Sequence, residues 1–137
     1  MWRTMNEASR SRIGWFILRI HLAALVAAHG YYRLLTGGTA GFGEYLASQN
    51  LPFGLAIAWG ITLTEVVGSL MLAAGKLVFP VSVLLSAIYL VGIFMVHASN
   101  GWFVVGAGRN GAEYSVLLIV ALLCVGLQHL PRGKRSA

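Results

Sequence analysis

The sequence predicts an all-α, polytopic membrane protein: a bundle of four transmembrane helices with a short amphipathic segment in the first outer loop. Of the 137 residues, 58% are hydrophobic and only 10% are charged, whereas about 25% of the residues of a typical soluble domain are charged. Four apolar stretches approach the roughly 20 residues that cross a hydrocarbon core as a helix. The basic residues cluster beside these stretches. This composition excludes a soluble enzyme, a disordered tail and a secreted disulfide scaffold.

We expect the whole chain, residues 1–137, to form a single domain. The predicted spans cover residues 13–35, 53–75, 77–98 and 112–130. The second span contains one charged residue, Glu65, and the third contains none unless His97 is protonated. The first span is the most polar, because it contains two Arg and two His residues. An Arg at the centre of a span costs about 2.5 to 3.5 kcal/mol, so we expect other groups in the bundle to compensate for it.

The distribution of basic residues predicts the orientation of the chain. With four spans, seven basic residues fall on the side that both termini share: Arg3, Arg10, Arg12, Lys76, Arg132, Lys134 and Arg135. Only Arg33 and Arg109 fall on the opposite side. Because cytoplasmic loops carry the excess of basic residues, we expect an inner (cytoplasmic) membrane protein with both termini in the cytoplasm. The longer loops, residues 36–52 and 99–111, then face outward.

The first outer loop contains the amphipathic segment. It starts with the Gly-rich run TGGTAGFG and continues as FGEYLASQNLP, in which Phe42, Tyr45 and Leu46 are spaced i, i+3 and i+4. This spacing gives a short helix one apolar side. We expect the helix to lie on the membrane surface or to cap the bundle. Pro52 is predicted to open the second span.

Glu65 is the first candidate catalytic residue. It shares a helix face with small and hydroxyl side chains and lies about 18 Å from Phe53, at about 1.5 Å per residue. A carboxylate at this depth must be paired, hydrogen-bonded or protonated. We predict Arg19 as its partner, because the long Arg side chain can extend toward the centre; the alternative is a neutral Glu65 bonded to Thr62 or Ser69. Both a functional role and a purely structural one remain open.

A second group of polar side chains gathers at the outer ends of the helices. His29 and Arg33 are four residues apart and therefore adjacent on the first helix. The second outer loop is bracketed by His97, Asn100, Arg109, Asn110, Glu113 and Tyr114. The predicted ligand-binding residues are His29, Arg33, His97, Asn100 and Arg109, and the candidate catalytic residues are Glu65, Arg19 and Glu113. The alternative to a functional role is that the charged side chains are simply solvated at the helix ends. The aromatic side chains would then anchor the protein at the membrane interface.

The sequence contains no cofactor motif. Its single cysteine, Cys124, excludes a dithiol pair, and no Cys pair or close His/carboxylate spacing indicates a zinc site. A b-type haem is disfavoured, because His21 and His29 lie about 80° apart on one helix and cannot both face one bundle axis. The net charge of +6 does not indicate nucleic-acid binding, because the basic residues do not interleave with aromatic ones in a polar stretch.

A series of short motifs resembles the DoxX family of small four-helix membrane proteins over roughly residues 13–128. The motifs are LRI at 18–20, HGYYR at 29–33, Phe42, LP at 51–52, TEVVGSLMLAAG at 64–75, HASNGWF at 97–103 and NGAEY at 110–114. The resemblance implies a relation to subunits of thiosulfate:quinone oxidoreductase, and to members that join redox complexes alongside superoxide dismutase and a sulfurtransferase. The functional set that it implies is Arg19, Arg33, Glu65, His97 and Glu113. The family often has Lys at the position of Arg33.

We therefore predict a quinone-interacting subunit of a membrane oxidoreductase. A quinone needs an apolar slot with a few donors, which His29 or His97 could supply, while Glu65 or Glu113 exchanges protons with it. Electrons would come from a partner protein. The alternatives are a non-catalytic accessory or assembly subunit, and a small-molecule or proton permease gated by Arg19 and Glu65, which would need to oligomerise. The expected partners are the lipid bilayer and either membrane or redox proteins or further copies of this chain, with no nucleic acid.

Overall fold

Five α-helices make up most of residues 5–130, the part of the chain that the computed structural model describes. They are α1 (Glu7–Thr36), α2 (Gly38–Ser48), α3 (Gly54–Ala74), α4 (Val78–Gly92) and α5 (Glu113–Gln128). A π-helical turn, Ile93–His97, and a 3-10 turn, Ala98–Asn100, continue α4. No strand occurs in this part of the chain, so the all-α prediction is confirmed. Four of the basic residues used to predict the orientation lie outside the described residues: Arg3, Arg132, Lys134 and Arg135.

Three helical segments are long and apolar enough to cross a membrane: Glu7–Thr36, Gly54–Ala74 and Val78–Asn100. The fourth apolar helix, α5, has 16 residues, which gives it a length of about 24 Å at about 1.5 Å per residue. That is shorter than a hydrocarbon core of about 30 Å. The structure therefore has three candidate membrane spans by length and composition, and it does not confirm the predicted count of four.

The ends of α1 explain why this helix is longer than the predicted span. The Asn6 side chain accepts a hydrogen bond from the Ser9 N–H at 2.8 Å, which satisfies one of the free donors of the first turn. The helix therefore starts at Glu7 rather than at residue 13. It ends at Gly37, whose φ of 70° is left-handed, the conformation that glycine adopts most easily at a helix C-terminus.

The four longer helices pack side by side in the order α1, α3, α4, α5, and α5 returns to α1. Neighbours run antiparallel: Gly30 of α1 faces Glu65 of α3, and Gly126 of α5 faces Ser82 of α4. Six of the seven residues predicted for the inward face of α3 are buried: Ala58, Thr62, Glu65, Gly68, Ser69 and Leu72. The seventh, Ile61, is only partly buried. We call the side with α2 and residues 101–112 the loop side, and the side with Glu7 and Gln128 the termini side.

Helix α2 confirms the predicted short helix but begins earlier, inside the Gly-rich run. It packs against α3 and so caps the bundle. A Cβ atom on Gly43 would lie 2.7 Å from the Leu55 Cα, and one on Gly54 would lie 2.8 Å from the Ala47 backbone nitrogen. Glycines therefore let the two backbones touch. The chain turns between α2 and α3 at Phe53, whose backbone conformation is left-handed (φ 59°). Helix α3 therefore begins at Gly54 rather than at the predicted Pro52.

Residues 101–112 fold back on themselves on the loop side. The N–H groups of Gly111, Ala112 and Glu113 donate to the carbonyls of Phe103, Gly101 and Trp102 at 3.0 to 3.1 Å. Any side chain at position 111 would overlap the Trp102 carbonyl group. The second outer loop is consequently an ordered, backbone-bonded structure at the start of α5.

Candidate functional site

A buried ion pair joins α1 to α3 inside the bundle. Arg33 Nη2 pairs with Glu65 Oε2, and Arg33 Nε donates to Thr62 Oγ1 at 3.1 Å. The second carboxylate oxygen, Glu65 Oε1, accepts from the Tyr89 hydroxyl at 3.2 Å. Glu65 is only 2% exposed, and removing a carboxylate from water is costly unless it is paired and hydrogen-bonded. Its Oε2 is held by the ion pair and its Oε1 by the hydrogen bond from Tyr89.

The pair forms because α1 and α3 approach closely at Gly30. A Cβ atom on Gly30 would lie 3.0 Å from the Glu65 Cβ and 3.0 Å from the Val66 Cγ2. Arg33 follows three residues later, on a neighbouring part of the same helix face. Its guanidinium carbon lies 5.1 Å from the centre of the Phe42 ring, within the range of a cation–π interaction. Helix α2 therefore helps to hold the cation over Glu65.

Arg19 does not pair with Glu65, so that prediction was wrong. Its Nη1 donates to the Leu72 and Ala73 carbonyls at 2.5 and 3.1 Å, among the free carbonyls that end α3. The prediction of an Arg19–Glu65 pair assumed that the loop-side ends of α1 and α3 lie at the same level. In the structure Glu65 is level with Gly30. From that level α1 continues for about 9 Å to Thr36, whereas α3 continues for about 16 Å to Gly54 on the same side, at about 1.5 Å per residue.

Arg33 therefore lies close to the level of the carboxylate, and its side chain is only 20% exposed. The alternative partners of Glu65 do not bond it either. Thr62 accepts from Arg33, and the Ser69 hydroxyl donates to the Val66 carbonyl at 2.8 Å.

The ion pair lies at one end of a cavity of about 350 Å³ on the loop side. Apolar side chains from α2, α3 and α4 form most of its wall, and the polar groups converge at a few points. The polar lining residues are His29, Arg33, Tyr45, Glu65, Tyr89, His97, Asn110, Tyr114 and Ser115. An apolar pocket of a few hundred Å³ with a few convergent polar groups is the usual form of a small-molecule site.

The π-helical turn forms part of the mouth of this cavity. The Tyr45 hydroxyl of α2 donates to the Met95 carbonyl at 3.1 Å, and His97 Nδ1 lies 2.9 Å from the Asn110 carbonyl oxygen. Since a carbonyl only accepts hydrogen bonds, Nδ1 carries the proton and a neutral ring keeps Nε2 as an acceptor. π-Helical turns often occur at functional sites. Here the turn ties α2 and the second outer loop to the end of α4.

The predicted site residues divide into two groups. His29, Arg33, Glu65 and His97 line the cavity. Arg19, Asn100, Arg109 and Glu113 are absent from its wall.

The second group has other contacts. Glu113 Oε1 accepts the Val104 N–H at 3.2 Å, and Asn100 Nδ2 donates to the Val96 carbonyl at 2.7 Å, so both side chains hold the loop and the end of α4. Arg109 is exposed.

Tyr89 is a site residue that the sequence reasoning missed. Its ring lies 6.4 Å from the His29 ring, and its hydroxyl bonds Glu65. A signal was present, because Tyr in membrane proteins usually lies at the interface whereas Tyr89 stands within the apolar run VLLSAIYLVG. Within residues 5–130 no three His, Cys, Asp or Glu side chains are grouped closely enough to hold a metal ion.

Replacing Tyr45 with Phe should loosen α2. The substitution leaves the Met95 carbonyl without its donor, at a cost of about 0.5 to 1.5 kcal/mol. We expect faster amide hydrogen exchange across Gly38–Ser48, measured by mass spectrometry in detergent. Tyr32→Phe is the matched control, because Tyr32 is 69% exposed. Equal exchange in the two variants would show that the hydroxyl does not secure α2.

The comparisons with known proteins agree with the resemblance noted in the motifs. The DoxX family model matches residues 14–98, which run from α1 to the start of the 3-10 turn and include the Arg33–Glu65 pair and Tyr89. Searches of the curated proteins and of the solved structures find no significant match. Since the matched segment covers more than half of the chain and contains three apolar helices of membrane-spanning length, the protein belongs to the DoxX family of membrane proteins.

Proposed function

We propose that the protein is a quinone-interacting subunit of a membrane oxidoreductase complex. The observation that carries the proposal is the loop-side cavity of about 350 Å³, a volume within the usual range of ligand pockets. A quinone head group is a flat ring with two carbonyl oxygens, so it needs apolar walls and hydrogen-bond donors at one or both ends. The cavity offers both, with the Arg33, Tyr89 and His29 side chains at its deep end.

The side chains of the cavity suit proton transfer to a bound ring. A quinone that receives two electrons also takes up two protons. Glu65 is the candidate proton-exchanging group at the deep end. As the partner of Arg33 it is a carboxylate, so it can accept a proton from water and pass it to a reduced ring, with the Tyr89 hydroxyl as its hydrogen-bonded neighbour. His97 Nε2 is the second candidate, near the mouth, since Nδ1 is engaged by Asn110. Groups placed within hydrogen-bond reach of a reacting oxygen can act as general acids or bases.

The electrons must come from a partner protein. The chain has one cysteine, Cys124, which is exposed on α5 and does not line the cavity. It therefore offers no dithiol pair to reduce the ring. We assign Glu113 and Asn100 a supporting role, and Arg109 on the exposed loop is the candidate contact for a redox partner or a further copy of the chain.

We further propose that residues 1–137 form a single domain in the inner membrane, with α5 as a fourth span and both termini in the cytoplasm. Arg10, Arg12 and Lys76 support this orientation, because they lie on the termini side whereas Arg33 and Arg109 lie on the loop side. Helix α5 is shorter than the three candidate spans Glu7–Thr36, Gly54–Ala74 and Val78–Asn100, and it packs against α4 and α1. The cavity then opens toward the outer face of the membrane.

The observations favour this proposal over the permease alternative. A gate formed by Arg19 and Glu65 requires the two side chains to meet, and Arg19 instead bonds the carbonyls that end α3. The accessory-subunit alternative depends on whether the Arg33–Glu65 pair serves only packing. The double substitution described in the Discussion separates that role from ligand binding.

Filling the cavity tests the proposal. Gly92 lines it, and a Cβ atom there would meet nothing within 4 Å, so Gly92→Leu should place a side chain in the space that a quinone ring needs. We expect the affinity for a short-chain ubiquinone or menaquinone analogue, titrated calorimetrically in detergent, to fall at least about tenfold, or roughly 1.4 kcal/mol.

Gly60→Leu is the matched control. Gly60 is an exposed glycine of α3, and a Cβ atom there also meets nothing within 4 Å. It should bind the analogue as the wild type does. Failure of the wild type to bind either analogue, or unchanged binding by Gly92→Leu, would refute the quinone site.

A further inference from the structure

A second cavity lies on the termini side, between α1 and α5. Its volume is about 230 Å³, and it is lined by Arg12, Trp15, Phe16, Arg19, Gln128 and His129. It is separate from the loop-side cavity, with which it shares no lining residue. Its lining contains two guanidinium groups and no carboxylate.

Arg19 is a half-buried cation that has no ion-pair partner among residues 5–130. It lies level with the termini-side end of α3, because its Nη1 donates to the Leu72 and Ala73 carbonyls, which provide only the partial negative charge of a helix C-terminus. Its Nε is buried and has no hydrogen-bond partner. A buried N–H without an acceptor costs free energy, so an anion at this position would stabilise Arg19.

The chain does not provide that charge within residues 5–130. All four of its acidic side chains are described, and the ion pair found among them joins Glu65 to Arg33. Glu113 and Glu44 lie on the loop side, in or beside α5 and α2. Glu7 is on the termini side but forms no ion pair with Arg19. An anion that pairs with Arg19 would therefore come from outside this part of the chain.

The other lining residues indicate the chemistry of that molecule. Arg12 lies seven residues before Arg19, two helical turns away on the same face, so two guanidiniums converge on the cavity. His129 Nδ1 lies 2.8 Å from the Val125 carbonyl oxygen, which leaves Nε2 as its other polar atom, and the Gln128 amide and the Trp15 indole add further N–H groups. Guanidinium groups are well suited to phosphate oxygens.

Apolar surface lies directly beside these donors. Phe16 is 55% exposed on α1 and Leu127 is 60% exposed on α5, and the Arg19 guanidinium carbon lies 5.6 Å from the Phe16 ring centre. A ligand held here would have its anion against the two arginines and its apolar part along these helices. Basic pockets between helices on the cytoplasmic side are typical sites for anionic lipid head groups.

We propose that this second cavity binds a phosphate group, of the kind that an anionic phospholipid presents at the membrane surface, with Arg19 and Arg12 as its principal contacts. The bound lipid supplies the missing counter-charge of Arg19 and joins α1 to α5, the first and last helices of the ring. The inference is independent of the quinone site on the loop side.

The test compares ligands on the purified full-length chain in detergent. Phosphatidylglycerol, phosphatidylcholine and inorganic phosphate are added at equal phosphorus concentration, and thermal unfolding and lipid retention in native mass spectrometry are measured. We expect phosphatidylglycerol to raise the Tm of the wild type more than phosphatidylcholine does. An equal rise with inorganic phosphate identifies the free ion as the ligand, and a rise with phosphatidylglycerol alone identifies the lipid; both results support a phosphate site.

The variants decide whether the cavity is the site. Arg12→Gln should weaken the apparent affinity for phosphatidylglycerol about fivefold, the effect expected for one basic residue at an anionic surface. Arg10→Gln removes the same charge from the same helix outside the cavity and should bind as the wild type does. Arg19→Gln should bind most weakly, but it also removes contacts with α3, so Arg12→Gln is the decisive variant. Equal loss in Arg12→Gln and Arg10→Gln, or no ligand effect on the wild type, would overturn the proposal.

Discussion

Replacing Arg33 with Met is expected to lower the free energy of unfolding by about 3 to 5 kcal/mol, the cost of breaking a buried ion pair from one side. The substitution keeps an unbranched side chain of similar length but leaves the Glu65 carboxylate, which is 2% exposed, with only the Tyr89 hydroxyl as a partner. The Tm of the purified protein in detergent measures the effect. Arg109→Met removes an exposed Arg from the same side of the molecule and should change stability by no more than about 0.5 kcal/mol.

The double variant Arg33→Met/Glu65→Met separates the structural role of the pair from its functional role. Replacing a whole buried ion pair with apolar residues of similar volume is often neutral or stabilising, so we expect most of the lost stability to return. We also expect the double variant to bind the quinone analogue more weakly than the wild type does, because the Arg33 donor and the Glu65 carboxylate are gone while Tyr89 and His29 remain. A stable double variant that binds the analogue as the wild type does would show that the pair serves only helix packing, as the accessory-subunit alternative requires.

Gly54→Ala should detach α2 from α3 and cost about 1 to 3 kcal/mol, as forced overpacking does. The new methyl group would meet backbone atoms of Gly43 and Ala47, which cannot move aside as a flexible side chain would. Thermal unfolding measures the loss of stability. Because α2 supplies Phe42 and Tyr45 to the cavity wall, binding of the quinone analogue should weaken as well.

Gly41→Ala is the matched control for this substitution. Gly41 lies on α2, and a Cβ atom there would meet nothing within 4 Å. The control should leave binding unchanged and stabilise the helix by up to about 1 kcal/mol, since Ala is the better helix former. Similar destabilisation by both substitutions would show that α2 is sensitive to any added side chain and that the close approach at Gly54 is not the cause.

The inward faces of the helices could be predicted because they depend on local periodicity alone. Helical geometry placed Thr62, Glu65 and Ser69 on one face of α3, and these residues are buried. The partner of Glu65 could not be predicted in this way, since it depends on the relative height of two helices. Arg19 and Arg33 share a stripe on α1, and only the packed structure selects between them.

Two features of the cavity required long-range contacts that the sequence pattern does not reveal. The π-helical turn at Ile93–His97 interrupts a stretch that the sequence presents as a continuous apolar span, and it is held by Tyr45 from α2 and by the second outer loop. The Gly-rich run before Phe42 suggested a loop, because glycine disfavours helices. It is helical from Gly38 onward, in a helix whose contact with α3 is permitted by glycine at positions 43 and 54.

By itself the sequence determined the all-helical class, the membrane environment, the faces that turn inward and the membership of the DoxX family. These properties follow from composition, local periodicity and the order of short motifs, each of which can be read from the chain without its neighbours. The tertiary structure alone decided that Arg33 and Tyr89 bond Glu65 and that Arg19 faces a second cavity on the termini side. Those outcomes depend on how far α1 extends along α3, which local periodicity does not encode.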